Sequence, residues 1–350
     1  MGIYVPATGR ELSHREKTVL RAIVQLFVLN ASPVGSRMLA RYIEDELALS
    51  AATIRNVMAD LEDWGFITHP HTSAGRMPTD QGYRTYVDSL MGTEALSHQE
   101  SKVVDELALR PRETILRDTS ILLGTLSRAL AVVRVPRFTD IVVNKVELFP
   151  ISSNRLLVVL ALESDIVRTV TMETGSVLDP SALEAVARQI NEKVSGRPLR
   201  ILGDALNNVG TVTNGERTLL RLFVEQVDRL TTVDEHNDVH LAGARQLLSH
   251  PEFEHPERMR SIIELLDNED IIVHMVDGIQ DNIGVQVRIG NELHSEQLHD
   301  YSLITTTYRI GHANGSISLI GPKRMNYSKL MSLVHTVGNV LSSSLLNDIP

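Results

Sequence analysis

Residues 50–79 read SAATIRNVMADLEDWGFITHPHTSAGRMPT, and the architecture of the first part of the chain turns on them. Ser50 is a residue type that caps helices by accepting a hydrogen bond from an early backbone N–H. Ile54, Val57, Met58 and Leu61 recur at the spacing of one helical face. The pattern predicts a helix over 51–64, and Gly65 is placed to end it in the left-handed conformation. Phe66-Ile67-Thr68 is β-prone, PHTSAGR (70–76) is rich in turn and hydroxyl residues, and Met77-Pro78 begins a return. Thr79-Asp80 then opens a further helix carrying Tyr83, Tyr86 and Val87.

Upstream lie two more helices. Ser13-His14-Arg15-Glu16 is a capping box, followed by Val19, Leu20, Ile23, Val24 and Phe27 on one face. Pro33 forbids easy continuation. Ser36 is positioned to cap a second helix with Met38, Leu39, Tyr42 and Ile43. Helix, helix, short turn, helix and hairpin is the outline of a winged helix-turn-helix.

The charges of the third helix point the same way. Its outer face begins small, polar or basic, with Ala52, Thr53, Arg55 and Asn56, and ends acidic, with Asp60, Glu62 and Asp63. The macrodipole favours the opposite order by about 0.3–1 kcal/mol per charge. A helix whose N-terminal half meets DNA would carry this inverted pattern, because its N–H groups face phosphate and its acids project away. Ala51 and Ala52 permit close approach. Asn56 suits bidentate contact with adenine, and Arg55 suits guanine or phosphate. Ser50, Ala52, Thr53, Arg55 and Asn56 are therefore the candidate groove contacts. His71, Thr72, Ser73 and Arg76 at the wing tip are the candidate phosphate contacts. The same charges on an ordinary solvated helix are the competing explanation.

Bulk properties bound the rest. The 350 residues are enough for two or three domains. The net charge is −10, yet residues 1–90 hold nine Lys/Arg against ten Asp/Glu, while the other 260 hold 25 against 34. The acidity lies mostly outside the first domain, whose near-neutral charge predicts modest non-specific DNA affinity. There are no cysteines, which fits a cytoplasmic protein and excludes thiolate metal sites. The start, MGIYVPATGRE, lacks the apolar core of a signal peptide, and LLVVLAL (156–162) is too short to span a bilayer. No membrane association is expected. Neither a phosphate-binding glycine loop nor GxSxG nor HExxH occurs, so no enzyme and no cofactor are expected. The pairs His250/His255 and His294/His299 are of the kind thirteen histidines produce by chance, and no metal is expected.

Beyond a polar segment at 92–112, ILLGTLSRALAVV (121–133) reads as an apolar helix. Strand-like runs follow at 141–151, 155–163 and 166–174; Pro180 and Ser181 then precede a helix with Leu183, Val186, Ala187, Ile190 and Val194, ended by Gly196 and Pro198. Helical patterns occupy 216–232 and 256–270. Strands resume at 271–276, 283–289, 302–310 and 316–322, before a last helix from about Ser328 to Leu346. The apolar stripe Leu330, Val334, Val337 and Leu341 on that helix serves either its own sheet or a second subunit. Lys323 and Arg324, beside a helix start, are candidates for contact with an anionic effector or a partner, or else for docking within the chain.

SPVGSRMLA (32–40), SAATIRNVMADLEDWGFI (50–67), HPHTSAGRMPTDQGYRTYV (69–87) and GPKRMNYSKL (321–330) resemble the bacterial heat-inducible transcription repressor HrcA family. Val57 and Trp64 depart from the family pattern, both at core or boundary positions. The resemblance implies an α+β protein with an N-terminal winged helix-turn-helix (1–91) and a linker (92–112). A GAF-like α/β domain (113–200 and 270–350) would follow, with a mostly helical inserted dimerisation subdomain (201–269). It further implies a homodimer on an inverted-repeat operator of double-stranded DNA, negative regulation of heat-shock chaperone genes, and the chaperonin as partner. The alternative is a transcriptional sensor in which a small molecule acts through the GAF-like domain.

Overall fold

The computed structural model describes residues 11–70, 75–136, 141–163, 167–174, 180–201, 218–225, 239–254, 256–268, 271–272, 275, 284–295, 298–310 and 313–346. Among them helices and antiparallel sheets mix without an alternating βαβ pattern, so the chain is α+β. No described helix is long and apolar enough to cross a membrane.

The first unit contains α1 (His14–Asn30), α2 (Ser36–Tyr42), α3 (Ala51–Asp63) and a two-stranded hairpin, β1 (Ile67–Thr68) and β2 (Met77–Pro78). The expected capping box closes α1: Glu16 N–H donates to Ser13 Oγ at 3.4 Å, and Ser13 N–H donates to Glu16 Oε2 at 2.7 Å. On α2 the expectation shifts by one residue. Gly35 is the N-cap and Ser36 the first helical residue, with no side-chain cap bond. Ile54, Val57, Met58 and Leu61 of α3 are all buried. At about 1.5–3 kcal/mol per buried side chain, this face decides how α3 lies, and unfavourable dipole terms cannot compete. Trp64 caps the helix and Gly65, at φ 79°, turns the chain into β1. A further helix, α4 (Asp80–Thr85), continues as a π-helical turn over Tyr86–Leu90.

The polar segment contains α5 (His98–Asp105) and leads to α6 (Arg112–Ser127). The apolar run at 121–133 is not one helix. Arg128 takes a left-handed φ of 55°, and Leu130–Arg134 form a strand, β3. A short apolar run buried on both faces has no period that separates strand from helix. The converse error occurs at 271–276, read as a strand, where Ile271, Ile272 and Met275 are helical. The adjacent β-branched Ile271 and Ile272 favour a strand by residue type.

Two sheets follow. Five strands run in the order β8-β3-β11-β10-β9, all antiparallel, with β8 at Val239–Ala242, β9 at Gln286–Ile289, β10 at Tyr301–Ile310 and β11 at Ala313–Pro322. One face of this sheet, with Ala131, Val133, Ile304, Ile317 and Leu319, shares a core with the C-terminal helix Tyr327–Leu346. The other, with Leu130, Val132, Leu303 and Ile320, shares one with Leu247, Phe253, Ile262 and Leu265. Leu330, Val334, Val337 and Leu341 are thus buried on their own sheet.

The second sheet has the order β6-β5-β4-β7: β4 at Val142–Ser152, β5 at Arg155–Leu162, β6 at Val167–Glu173 and β7 at Arg197–Pro198. It has a separate core, closed by α7 (Pro180–Val194) through Leu183, Val186, Ile190 and Val194. Asn191 pins α7 to β4. Its Oδ1 accepts from Val146 N–H at 2.8 Å, and its Nδ2 donates to Val146 O at 2.7 Å. The whole sheet is inserted between β3 and β8, which are hydrogen-bonded neighbours. This differs from the expected division, which grouped 113–200 with 270–350 and began the insertion at 201. Strand content does not reveal which strands pair. Pairing here separates 141–201 from the five-stranded sheet.

Candidate nucleic-acid interface

α3 presents its first two turns outward. Ser50 Oγ accepts from Thr53 N–H at 3.1 Å and lies 2.9 Å from Thr53 Oγ1. Ser50, Ala52, Arg55 and Asn56 are exposed and Thr53 is half-buried. The structure therefore brings all five candidate groove residues to one accessible end of one helix. Arg55 and Asn56 have no side-chain hydrogen bond or ion pair among the described residues.

The hairpin is held beside that helix. Gly75 lies against the loop before α2, where a Cβ would sit 2.6 Å from the Val34 carbonyl carbon and 2.7 Å from its oxygen. That closeness permits two backbone bonds: Val34 N–H donates to Arg76 O at 2.8 Å, and Arg76 N–H donates to Val34 O at 2.9 Å. His71, Thr72 and Ser73 lie outside the described residues.

The acidic end of α3 divides. Asp60 and Asp63 point to solvent. Glu62 turns towards the hairpin, where it meets Arg76 Nη2 at 2.7 Å and shares a hydrogen bond with His69 Nδ1. Partial burial opposes its ionisation, but the His69 bond and the Arg76 charge outweigh that and hold its carboxyl below the usual range. Glu62 is a bracket between helix and hairpin, and Arg76 is half-buried and engaged by it.

Two cations absent from the expected contacts share this unit. Arg37 and Arg41, one turn apart on α2, are exposed and make no ion pair among the described residues. Other cations of the unit are neutralised: Arg21 pairs with Glu46, Arg76 with Glu62, and Arg84 with Glu292 and Asp88. The signal was present in the sequence, since Arg37 and Arg41 have i, i+4 spacing opposite the core residues Leu39 and Ile43. Formal charge counting hid it, because it does not show which acids are engaged.

Lys323 and Arg324 face inward across a domain boundary. Lys323 Nζ is 2.6 Å from Asp80 Oδ1. Arg324 pairs with Glu252 and donates to Val28 O at 3.2 Å. Of the alternatives for these two residues, the structure supplies the docking point. They line a cavity of about 470 Å³ between the first unit and the five-stranded sheet, together with Gln81, Tyr83 and Asn291. Among the described residues no cluster of three or more His, Asp or Glu is arranged for a metal ion.

This architecture has relatives. A family model for the HrcA protein C terminal domain matches residues 113–331. The heat-inducible transcription repressor HrcA of Chlorobium phaeobacteroides (strain BS1) is 36% identical over 351 residues, spanning 96% of this chain and 99% of the relative. Its namesake from Chlorobium chlorochromatii (strain CaD3) is 35% identical over 346 residues, spanning 96% and 98%. A crystal structure described as a hypothetical protein aligns with a TM-score of 0.62 and 26% identity, covering 96% of this chain and 99% of that one. With the family model covering more than half of the chain and relatives above 30% identity covering nearly all of it, the chain belongs to the HrcA family of heat-inducible transcription repressors.

Proposed function

We propose that this protein represses heat-shock chaperone genes by binding an inverted-repeat operator as a homodimer. In this reading the first unit is a winged helix-turn-helix, and the N-terminal half of α3 enters the major groove of one half-site. Ser50, Ala52, Thr53, Arg55 and Asn56 meet the groove. Arg37 and Arg41 hold the phosphates alongside. His71, Thr72 and Ser73 contact phosphate from the wing, and Arg76 divides its charge between Glu62 and the backbone of the DNA. The carrying observation is the two-sided character of α3: an apolar face sealed in the core, and an accessible face whose Arg55 and Asn56 side chains are otherwise unengaged.

The five-stranded sheet with its flanking helices is the GAF-like domain of this reading, and the inserted unit supplies the dimer contact. Two linked reading heads convert the second half-site into an intramolecular target, raising avidity without new contacts. The chaperonin is the partner that the family resemblance implies; co-sedimentation of the purified proteins tests it. The sensor alternative calls for a polar cavity inside the GAF-like domain. Both faces of its sheet are packed, largely by aliphatic side chains, and the buried Ser302, Thr305 and Ser318 are hydrogen-bonded within the protein, which speaks against that reading.

Selection of duplexes from random DNA with the purified protein, followed by affinity measurements across salt concentrations, tests the function. An inverted repeat is expected, with binding that falls steeply with salt. Arg37→Ala and Arg41→Ala should each weaken all duplexes alike and lower the log–log salt slope by about one. Salt-independent binding, or a selection that recovers no repeat, would refute the DNA-binding reading.

A further inference from the structure

α4 is clasped to the body of the protein at the end of the first unit away from Ser50. Asp80 accepts from Lys323 Nζ at 2.6 Å and from Asn291 N–H at 3.0 Å. Arg84 forks onto Glu292, with Nε to Oε1 at 2.8 Å, and also donates to Val287 O at 2.7 Å. Gly290 allows this approach, since a Cβ there would lie 2.2 Å from Asp80 Oδ2. Between the ties the rings of Tyr83 and Tyr327, both buried, meet with centroids 6.0 Å apart. Below α4 the linker is fastened too: Glu94 N–H donates to Ser328 Oγ at 2.8 Å, and Ser328 Oγ donates to Gly92 O at 2.5 Å.

The clasp is coupled to the reading helix by short bonds. Thr79, the N-cap of α4, donates through Oγ1 to Gly65 O at 2.6 Å, and its N–H donates to Phe66 O at 3.1 Å. Gly65 is the residue that stops α3. From Lys323 through Asp80 and Thr79 to the end of α3, each step is a direct contact or a neighbouring residue. A rotation of the first unit on the body would break every tie at once. The clasp also explains the motif at 321–330, which no groove contact uses.

From this we infer that Asp80, Arg84, Lys323 and Glu292 are positioning residues that fix the angle of each reading head on the body, and so set which separation of operator arms the dimer accepts. The inference rests on the dimeric DNA-binding reading and adds a spacing determinant far from the groove. Base contacts choose the letters of each arm, and the clasp chooses the distance between arms. A rigid pair of heads gains its avidity at one spacing only. A loosened pair keeps each half-site contact and spreads its avidity over several spacings.

The chain has no cysteine, so Asp63→Cys, at an exposed position near the end of α3, places one spin label per subunit. Pulsed EPR without DNA then reads the distance between the two heads. A narrow distribution is expected for the otherwise unaltered protein, a broad one for Lys323→Glu, and a narrow one for Lys323→Arg, which keeps a cation facing Asp80. On the selected duplex, moving the arms apart by about five base pairs turns one arm half a helical turn away. The parent should lose about tenfold or more in affinity. Lys323→Glu should bind the native spacing more weakly and vary by no more than about threefold across spacings, and Lys323→Arg should retain discrimination. Glu292→Gln, which preserves side-chain shape, serves as the second variant if Lys323→Glu melts early. An unchanged distance distribution or an unchanged spacing profile in both variants overturns the inference. A monomer in solution, or the lack of any selected repeat, would instead remove the reading on which it rests, and the inference with it.

Discussion

Asn56→Ala separates folding from reading, because the two effects have opposite signs. Asn56 is exposed on α3, and its side chain makes no hydrogen bond among the described residues. Removing it costs no packing. Alanine is the better helix former by up to about 0.7 kcal/mol, so the melting temperature should hold or rise slightly. Binding should move the other way. A bidentate asparagine–adenine contact contributes about 1–3 kcal/mol of discrimination, which at 1.4 kcal/mol per decade is a loss of about 5- to 150-fold on the operator. Because asparagine is uncharged, the number of counterions released is unaltered, and affinity for random DNA together with the salt slope should stay the same. Fluorescence anisotropy on operator and random duplexes at matched salt reads all three quantities. Equal losses on both duplexes would take Asn56 out of base reading. A melting temperature lowered by several degrees would show instead that this face of α3 is structural, and the reasoning from exposure would fail.

Gly75→Ala drives a Cβ to within 2.6 Å of the Val34 backbone, where no flexible side chain can yield. A cost of about 1–3 kcal/mol is expected, seen as a lower melting temperature with weaker binding to all duplexes, and an unaltered melt would mean that the hairpin is not held at Val34. Glu100 on α5 gives a pH signature. The hydrogen bond from Lys329, then those from the Ser97 side chain and backbone, lower its pKa from 4.5 to about 2. A carboxylate depressed on folding stabilises the native state above its unfolded pKa and loses that contribution as pH falls through the folded value. The fastening of α5 to the C-terminal helix should therefore weaken between about pH 4.5 and 2. Glu100→Gln should flatten that part of the stability–pH curve, and an NMR midpoint for Glu100 near 4.5 would contradict the assignment.

Much of the first unit was legible in the chain because its signals are local. Ser13 and Glu16 close a capping box within one turn, Ser50 and Gly65 bound α3, and the apolar spacing of Ile54, Val57, Met58 and Leu61 selects its buried face. The accessible face follows by subtraction, which is how five groove candidates could be named from residue type and spacing. Elements failed where the local signal was ambiguous. Leu130–Arg134 and the residues Ile271, Ile272 and Met275 are short apolar stretches whose state depends on what surrounds them, and the strands that pair with Leu130–Arg134 lie far away in the chain.

The amino-acid order by itself determined the helices of the N-terminal unit, the N-caps of α1 and α3, and the polarity of α3, since each depends on side chains within a few positions of one another. Only the tertiary structure decided which strands pair, and so that 141–201 is set into the chain as a sheet of its own. It alone also showed that Glu62 brackets the hairpin, and that Lys323 and Arg324 hold the first unit rather than stand open. Those outcomes rest on contacts between residues tens to hundreds of positions apart. Such contacts form through shared burial and charge pairing in space, and no spacing rule along the chain encodes them.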